Sequence, residues 1–153
     1  MASIKAQRAA GPKFMSVDGG AICEVDKVVL GAAPGSGTPS AADTIDYLIP
    51  AGAYVTALAL QLDDCDTATT FVFGVGYRAV NAADAVALPT NATYFAAAGQ
   101  TTGQAGGRLT CAFKPIKFEV DVYVQLLVGT APTGITGNPE IVLIADYNCS
   151  GPK

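Results

Sequence analysis

Val120-Asp121-Val122-Tyr123-Val124-Gln125-Leu126-Leu127-Val128 carries an apolar residue at every second position. Val120, Val122, Val124, Leu126 and Val128 therefore share one face of an extended chain, a period of two that belongs to a strand. A turn-rich loop from Thr130 to Pro139 follows, and Ile141, Leu143, Ala145 and Tyr147 resume the alternation. Upstream, Phe71, Phe73, Val75 and Tyr77 line one face, with Val72, Gly74, Gly76 and Arg78 opposite. Tyr54, Thr56, Leu58, Leu60 and Leu62 form an earlier stripe that ends at Asp63-Asp64-Cys65-Asp66. Ile45, Tyr47 and Ile49 form another, closed by the turn residues Pro50-Ala51-Gly52. The apolar stretch Val25 to Leu30 reads as the first strand, before the breaker-rich loop from Gly31 to Pro39. A helix is expected only over Ala92–Ala98, where Ala is dense and Gly99 can stop it. The expected fold is all-β: a single antiparallel β-sandwich or jelly-roll-like domain over residues 21–153. An extended N-terminal arm over residues 1–20 precedes it and ends at Asp18-Gly19-Gly20.

Several of these strands are apolar on both faces. Val55, Ala57 and Ala59 oppose the Leu58-Leu60-Leu62 stripe, Val142 and Ile144 oppose Ile141 and Leu143, and Tyr123 and Leu127 oppose the valines. An antiparallel sheet in a small monomer usually leaves one face polar. Charged residues are only 14% of the 153, against about 25% in a typical soluble domain. The two features together point to a subunit that associates with copies of itself or docks on a larger body.

Histidine is absent. That removes Ser-His-Asp and Cys-His nucleophile systems and every His-ligated metal site. Cys23, Cys65, Cys111 and Cys149 lie 42, 46 and 38 residues apart, without the Cys-x-x-Cys spacing of a zinc knuckle or redox pair. No secretory signal precedes them, so buried, reduced thiols made in a cytoplasm are expected. No apolar run approaches the roughly 20 residues of a membrane span. Among the 13 acids nothing singles out an acid–base pair. The expectation is a protein that is not an enzyme, with no cofactor, no metal and no membrane segment.

Charge is placed unevenly. Residues 1–13 hold Lys5, Arg8 and Lys13 with no acid, while the remainder has 6 bases against 13 acids, or −7. A basic arm on an acidic body marks Lys5, Arg8 and Lys13 as candidate partner-binding residues, reaching beyond their own sandwich. Nucleic acid is a poor candidate, because the body has no basic patch with interleaved aromatics.

The motif matches favour structural readings. Gly74-Val75-Gly76-Tyr77-Arg78-Ala79 fits a loose dinucleotide fingerprint, but alternation runs straight through both glycines, which points to close packing inside a sheet. Gly35-Ser36-Gly37 lacks the Lys-Ser/Thr ending of a phosphate loop. Asp63, Asp64 and Asp66 lack the ligand order of a calcium loop and read as a strand-end turn that uses aspartate for local hydrogen bonds. The sequons at Asn91 and Asn148 have no signal to bring them to a glycosylating compartment.

The order of pieces from Ser40 onward resembles the head decoration, or cement, proteins of tailed bacteriophages. It runs through Asp43–Ile49, Pro50-Ala51-Gly52, Asp63–Thr67, Thr70–Gly76, Tyr94–Ala98, Gln104–Gly107, Val120–Pro132 and Glu140–Tyr147. The resemblance is a pattern of strand and turn chemistry over about 110 residues of the chain, and it contains no active-site motif. It implies a structural virion protein that binds the outer capsid lattice and staples the major capsid protein, commonly as a homotrimer. A head-fibre base, a tail component, a carbohydrate-binding module or a small carboxylate enzyme are the alternatives, and the absence of Trp counts against the glycan reading.

Overall fold

A computed structural model describes residues 3–5, 21–31 and 37–149. Its strands are β1 Ser3–Lys5, β2 Ala21–Val29, β3 Thr44–Ile49, β4 Ala53–Leu62, β5 Val72–Ala79, β6 Asn91–Gln100, β7 Gly107–Thr110, β8 Ile116–Lys117, β9 Val122–Thr130 and β10 Glu140–Cys149. One sheet has the order β1-β3-β9-β5-β6. The other has β2-β10-β4-β7, with β8 also on the outer edge of β4. The pairs β2–β10, β3–β9, β4–β7 and β5–β6 are all antiparallel neighbours. The chain is thus one nested hairpin rolled into two sheets, which is the jelly-roll arrangement.

The core lies between the sheets and is filled by the stripes that the alternation defines. Phe73, Val75, Ile45, Ile49, Val122, Val124 and Leu126 come from one sheet, with Phe71 just before β5, and Val55, Leu60, Ile141 and Ala145 from the other, each fully buried. Tyr47 is fully buried in this layer, and its hydroxyl donates to the Ile141 carbonyl across the sandwich at 2.9 Å. That bond satisfies a group whose burial would otherwise be costly. The corner at Pro50-Ala51-Gly52 carries the chain from one sheet to the other. Gly52 takes a φ of 83° there, and Asp121 fixes the corner by accepting the Ala51 amide at 2.7 Å.

The structure corrects several local expectations. Residues 92–98 belong to strand β6, not to a helix. A seven-residue Ala-rich helix is marginal alone, whereas the open edge of β5 offers hydrogen bonds to an extended chain. The two-sided pairing of β5 also explains its glycines. A Cβ on Gly76 would sit 2.0 Å from the Asn91 carbonyl oxygen, and one on Gly74 would sit 3.3 Å from the Ala98 Cα. Both glycines thus serve close packing of backbone on backbone, as the alternation implied.

The stripe of β4 changes face along its length. Leu58, Leu60 and Leu62 are buried, but Tyr54 and Thr56 are exposed while Val55 points inward. The cause is an irregularity against β10: Ala57 pairs Asp146 and Val55 pairs Tyr147, so Thr56 is an extra residue. A bulge inserts one residue and reverses the side-chain alternation beyond it.

Strand β2 begins at Ala21 rather than Val25, and its inward residues are Glu24, Asp26 and Val28. The expected Val25 is 53% exposed. Glu24 is held by the Tyr147 hydroxyl, which donates to its carboxylate. Inward-pointing acids on an edge strand discourage pairing with foreign strands. Cys23, expected to be buried, is exposed on the opposite face, Cys65 and Cys111 are buried, and the side chain of Cys149 lies outside the described residues.

Candidate functional site

With no reacting constellation implied by the sequence, the candidate site is a surface, and two built regions of the sandwich define it. The first is the outside of the sheet that carries the arm strand. β1 adds to the edge of β3 in parallel, with Ser3, Ile4 and Lys5 registered to Thr44, Ile45 and Asp46. Ile4 is half-buried and packs against the core. The backbone of Lys5 therefore runs beside Asp46 within the same chain, whereas Arg8 and Lys13 lie outside the described residues.

Asp46 sits on the outward face yet is only 1% exposed. Arg78, two strands away, donates from Nη2 to Asp46 Oδ2 at 2.6 Å, and its guanidinium lies 4.6 Å from the centre of the Tyr123 ring. Gln125 and Gly76 are paired neighbours across β9 and β5 in this region, and the space beside Gly76 is taken by the backbone of Asn91 and Ala92. A desolvated ion pair is weak evidence for stability and better understood as fixing one arrangement. It orients Arg78 and Tyr123 beside the edge where the arm strand docks.

The second region is the loop end of the sandwich, where Asp63, Asp64 and Asp66 lie. The Asp66 carboxylate accepts five hydrogen bonds, from the amides of Ala68, Thr70, Phe71 and Thr133 and from the Thr70 hydroxyl. Asp64 accepts the Asp66 amide at 3.1 Å, and Asp63 accepts the Glu140 amide at 2.9 Å. All three acids are thus engaged with backbone, which is the turn reading of the sequence. Burial pushes the Asp66 carboxyl up, but the Thr133, Phe71 and Ala68 amides and the Thr70 hydroxyl pull it down further, to about 2. Burial likewise pushes the adjacent Cys65 thiol up to about 12, with help from the three aspartates.

Among the described residues no three His, Cys, Asp or Glu side chains group to hold a metal ion, and no helix is long and apolar enough to cross a membrane. Sequence reasoning misses the inward acids Glu24 and Asp26, because the apolar stretch that marks the strand starts only at Val25. The signal was present: Cys23, Val25 and Lys27 alternate with Glu24, Asp26 and Val28, and only the side carrying Val28 and Leu30 continues into the core.

Fold and surface together define a small jelly-roll domain. The chain is similar to a chain in the capsid of Ralstonia phage GP4, at 26% identity and a TM-score of 0.72, over 99% of this chain and 100% of that one. It is also similar to a chain in the capsid asymmetric unit of cyanophage Pam1, at 19% identity and a TM-score of 0.62, over 93% of this chain and 91% of that one. The second likeness is one of fold. The first supports a phage capsid-type protein with a structural role in a virion. No protein-family model matches the sequence, and no curated protein does.

Proposed function

We propose that this chain is a decoration, or cement, protein: a single jelly-roll domain with an N-terminal arm that binds the outer surface of an assembled phage capsid lattice and holds neighbouring major capsid proteins together, as a homotrimer. The observation that carries the reading is the end-to-end similarity to a capsid chain of GP4, 99% of one chain on 100% of the other. Composition supports it. A body of net charge −7 is repelled by packaged nucleic acid and so favours the outer side of a shell. Many copies of a weak contact supply strong attachment by multivalency.

The test is attachment to shells. Purified protein is mixed with capsids stripped of small surface proteins and pelleted, and the pellet is assayed for stoichiometric, saturable binding and for a raised temperature of capsid rupture. Binding without a change in rupture temperature would reduce the protein to a passive ornament. Recovery only with tail fractions of the virion would replace the reading by that of a tail component.

A further inference from the structure

On the open side of the sandwich the outer strands β6 and β7 stand apart, each paired along one edge only. Between them, and along the segment just beyond β7, lies a cleft of about 310 Å³, at the small end of the range for ligand sites. Its two walls are tied to each other. The Tyr94 hydroxyl donates to the Lys114 carbonyl at 2.8 Å, and the Phe95 and Phe113 rings meet edge to face with centroids 4.8 Å apart. The cleft is therefore formed before anything enters it, and binding there carries little ordering cost.

The lining selects a class of ligand. Every side chain that lines the cleft is uncharged, which leaves nothing to offset the desolvation of a phosphate, a carboxylate or an ammonium group. The exposed Thr93 and Thr110 stand in its walls. The Gln100 amide gives one N–H to the Ala97 carbonyl at 3.0 Å and keeps its oxygen and a second N–H. These hydroxyl and amide groups both donate and accept, as the hydroxyls of a sugar do. The floor is apolar, from Leu109 and the buried Phe95 and Cys111, and suits the C–H face of a sugar ring. An extended peptide fits less well. Strand addition needs a regular edge, whereas β6 shifts twice in register against β5 and β7 is four residues long. Bulges and short strands both blunt an edge.

We propose that the β6–β7 cleft binds a neutral saccharide, with its hydroxyls on Thr93, Gln100 and Thr110 and its apolar face on Phe95 and Leu109. The site itself does not rest on the decoration reading. On a shell coated with copies of this chain, it would hold the particle to a glycan surface, because many weak contacts add up to strong attachment. The assay below contains no capsid, so its failure would leave lattice binding untouched.

The full chain, coupled in many copies to fluorescent beads, is screened on an array of neutral and acidic oligosaccharides. The strongest neutral binder is then titrated into isotope-labelled protein and followed by NMR, with an uncharged Thr-Val repeat peptide as the competing class. Saturable shifts should fall on residues 93–97, 100 and 109–112. Gln100→Ala and Thr110→Val should each weaken binding by about three- to tenfold, the worth of one hydrogen bond. Val86→Asp, at an 89% exposed position that does not line the cleft, should bind as the wild type does, and equal thermal midpoints check that all three variants are folded. An array on which no neutral glycan is bound, a preference for acidic glycans or for the peptide, shifts centred elsewhere, or binding indifferent to both cleft variants would each overturn the proposal.

Discussion

The Asp66 carboxylate and the Thr133 amide, 67 residues apart in sequence, are joined by a 2.9 Å hydrogen bond. Through that contact the loop after β4 and the loop after β9 become one unit. Thr67 reinforces it by donating to the Gly134 carbonyl at 2.9 Å, and the Thr70 hydroxyl, which donates to Asp66, lies 3.1 Å from the Ala131 carbonyl oxygen. One carboxylate therefore organises the loop end of the whole sandwich.

Replacing Asp66 with Asn removes the charge from five accepted hydrogen bonds and leaves at least one buried amide poorly satisfied. The expected loss is about 2–3 kcal/mol, or roughly 4–12 °C in the thermal midpoint. The pH dependence has a definite sign. The Asp66 carboxyl lies lowered from 3.8 to about 2 in the folded chain, so the unfolded chain takes up the proton first as pH falls. Its contribution is complete above about pH 4 and disappears as pH drops through 2. Urea unfolding at pH 6, 4, 3 and 2 should show the gap between wild type and Asp66→Asn shrinking toward acid. A gap that stays constant would mean the carboxylate is not the stabilising group.

Gly76→Ala should be among the most damaging single-methyl additions in the chain. The new carbon would lie 2.0 Å from the Asn91 oxygen and 2.3 Å from the Ala92 carbonyl carbon, both backbone atoms with no rotamer to escape into. A destabilisation of about 3 kcal/mol is expected. Gly37→Ala is the control, since its Cβ would meet only Ile4 Cδ1 at 3.7 Å, and it should change the midpoint of unfolding by little. Equal effects at the two positions would contradict the packing of β6 on β5.

These two sites also mark how far the sequence could be read. The inward stripes of β5, β9 and β10 were legible because period two is a local property, and each stripe meets core on one side only. The turn role of Asp66 was legible from aspartates at a strand end, but its partner was not, because Thr133 comes from a loop 67 residues away. The face change in β4 depends on a bulge opposite Asp146–Tyr147, a property of the pair and invisible in either strand alone. The strand at β6 was hidden by Ala, whose helix preference is overridden once an unpaired edge is beside it. Of the surface, the basic arm was legible by composition. The solvent-facing Val86 was not, since an isolated valine carries no mark of exposure.

The thiols should separate by reactivity in the native protein. Cys23 is exposed, while Cys65 and Cys111 are buried with burial pushing their thiols up to about 12 and about 11. Cys23 is also raised, by its hydrogen bond to Asp146, by partial burial and by the charge of that acid, so it reacts slowly for an exposed thiol. Timed iodoacetamide labelling at pH 8 with peptide mapping should find Cys23 modified first, faster in Asp146→Asn, with Cys65 and Cys111 protected until denaturant is added. Early labelling of Cys65 would show that the loop end opens in solution.

The arm joins two effects that one experiment can separate. β1 covers the open edge of β3 with backbone hydrogen bonds, in register from Ser3–Thr44 to Lys5–Asp46, while Lys5, Arg8 and Lys13 bring +3 to a body of −7. Deleting residues 2–13 removes both the strand and the charge, whereas Lys5→Gln, Arg8→Gln and Lys13→Gln together keep the backbone and remove only the charge. Backbone pairing is insensitive to salt, and charge attraction across a wet surface is screened within about 10 Å at 0.1 M. Under the decoration reading, the triple variant should fold with an unchanged midpoint and bind capsids more weakly, by about three- to tenfold at 20 mM salt and by little at 500 mM. The deletion should lose affinity at both salts and also lower the unfolding midpoint, because the β3 edge and the half-buried Ile4 contact go with it. If the triple variant binds as the wild type does at low salt, the three bases are solvated and play no part in attachment. If the deletion behaves like the triple variant, the arm acts through charge alone and the β1 pairing is dispensable.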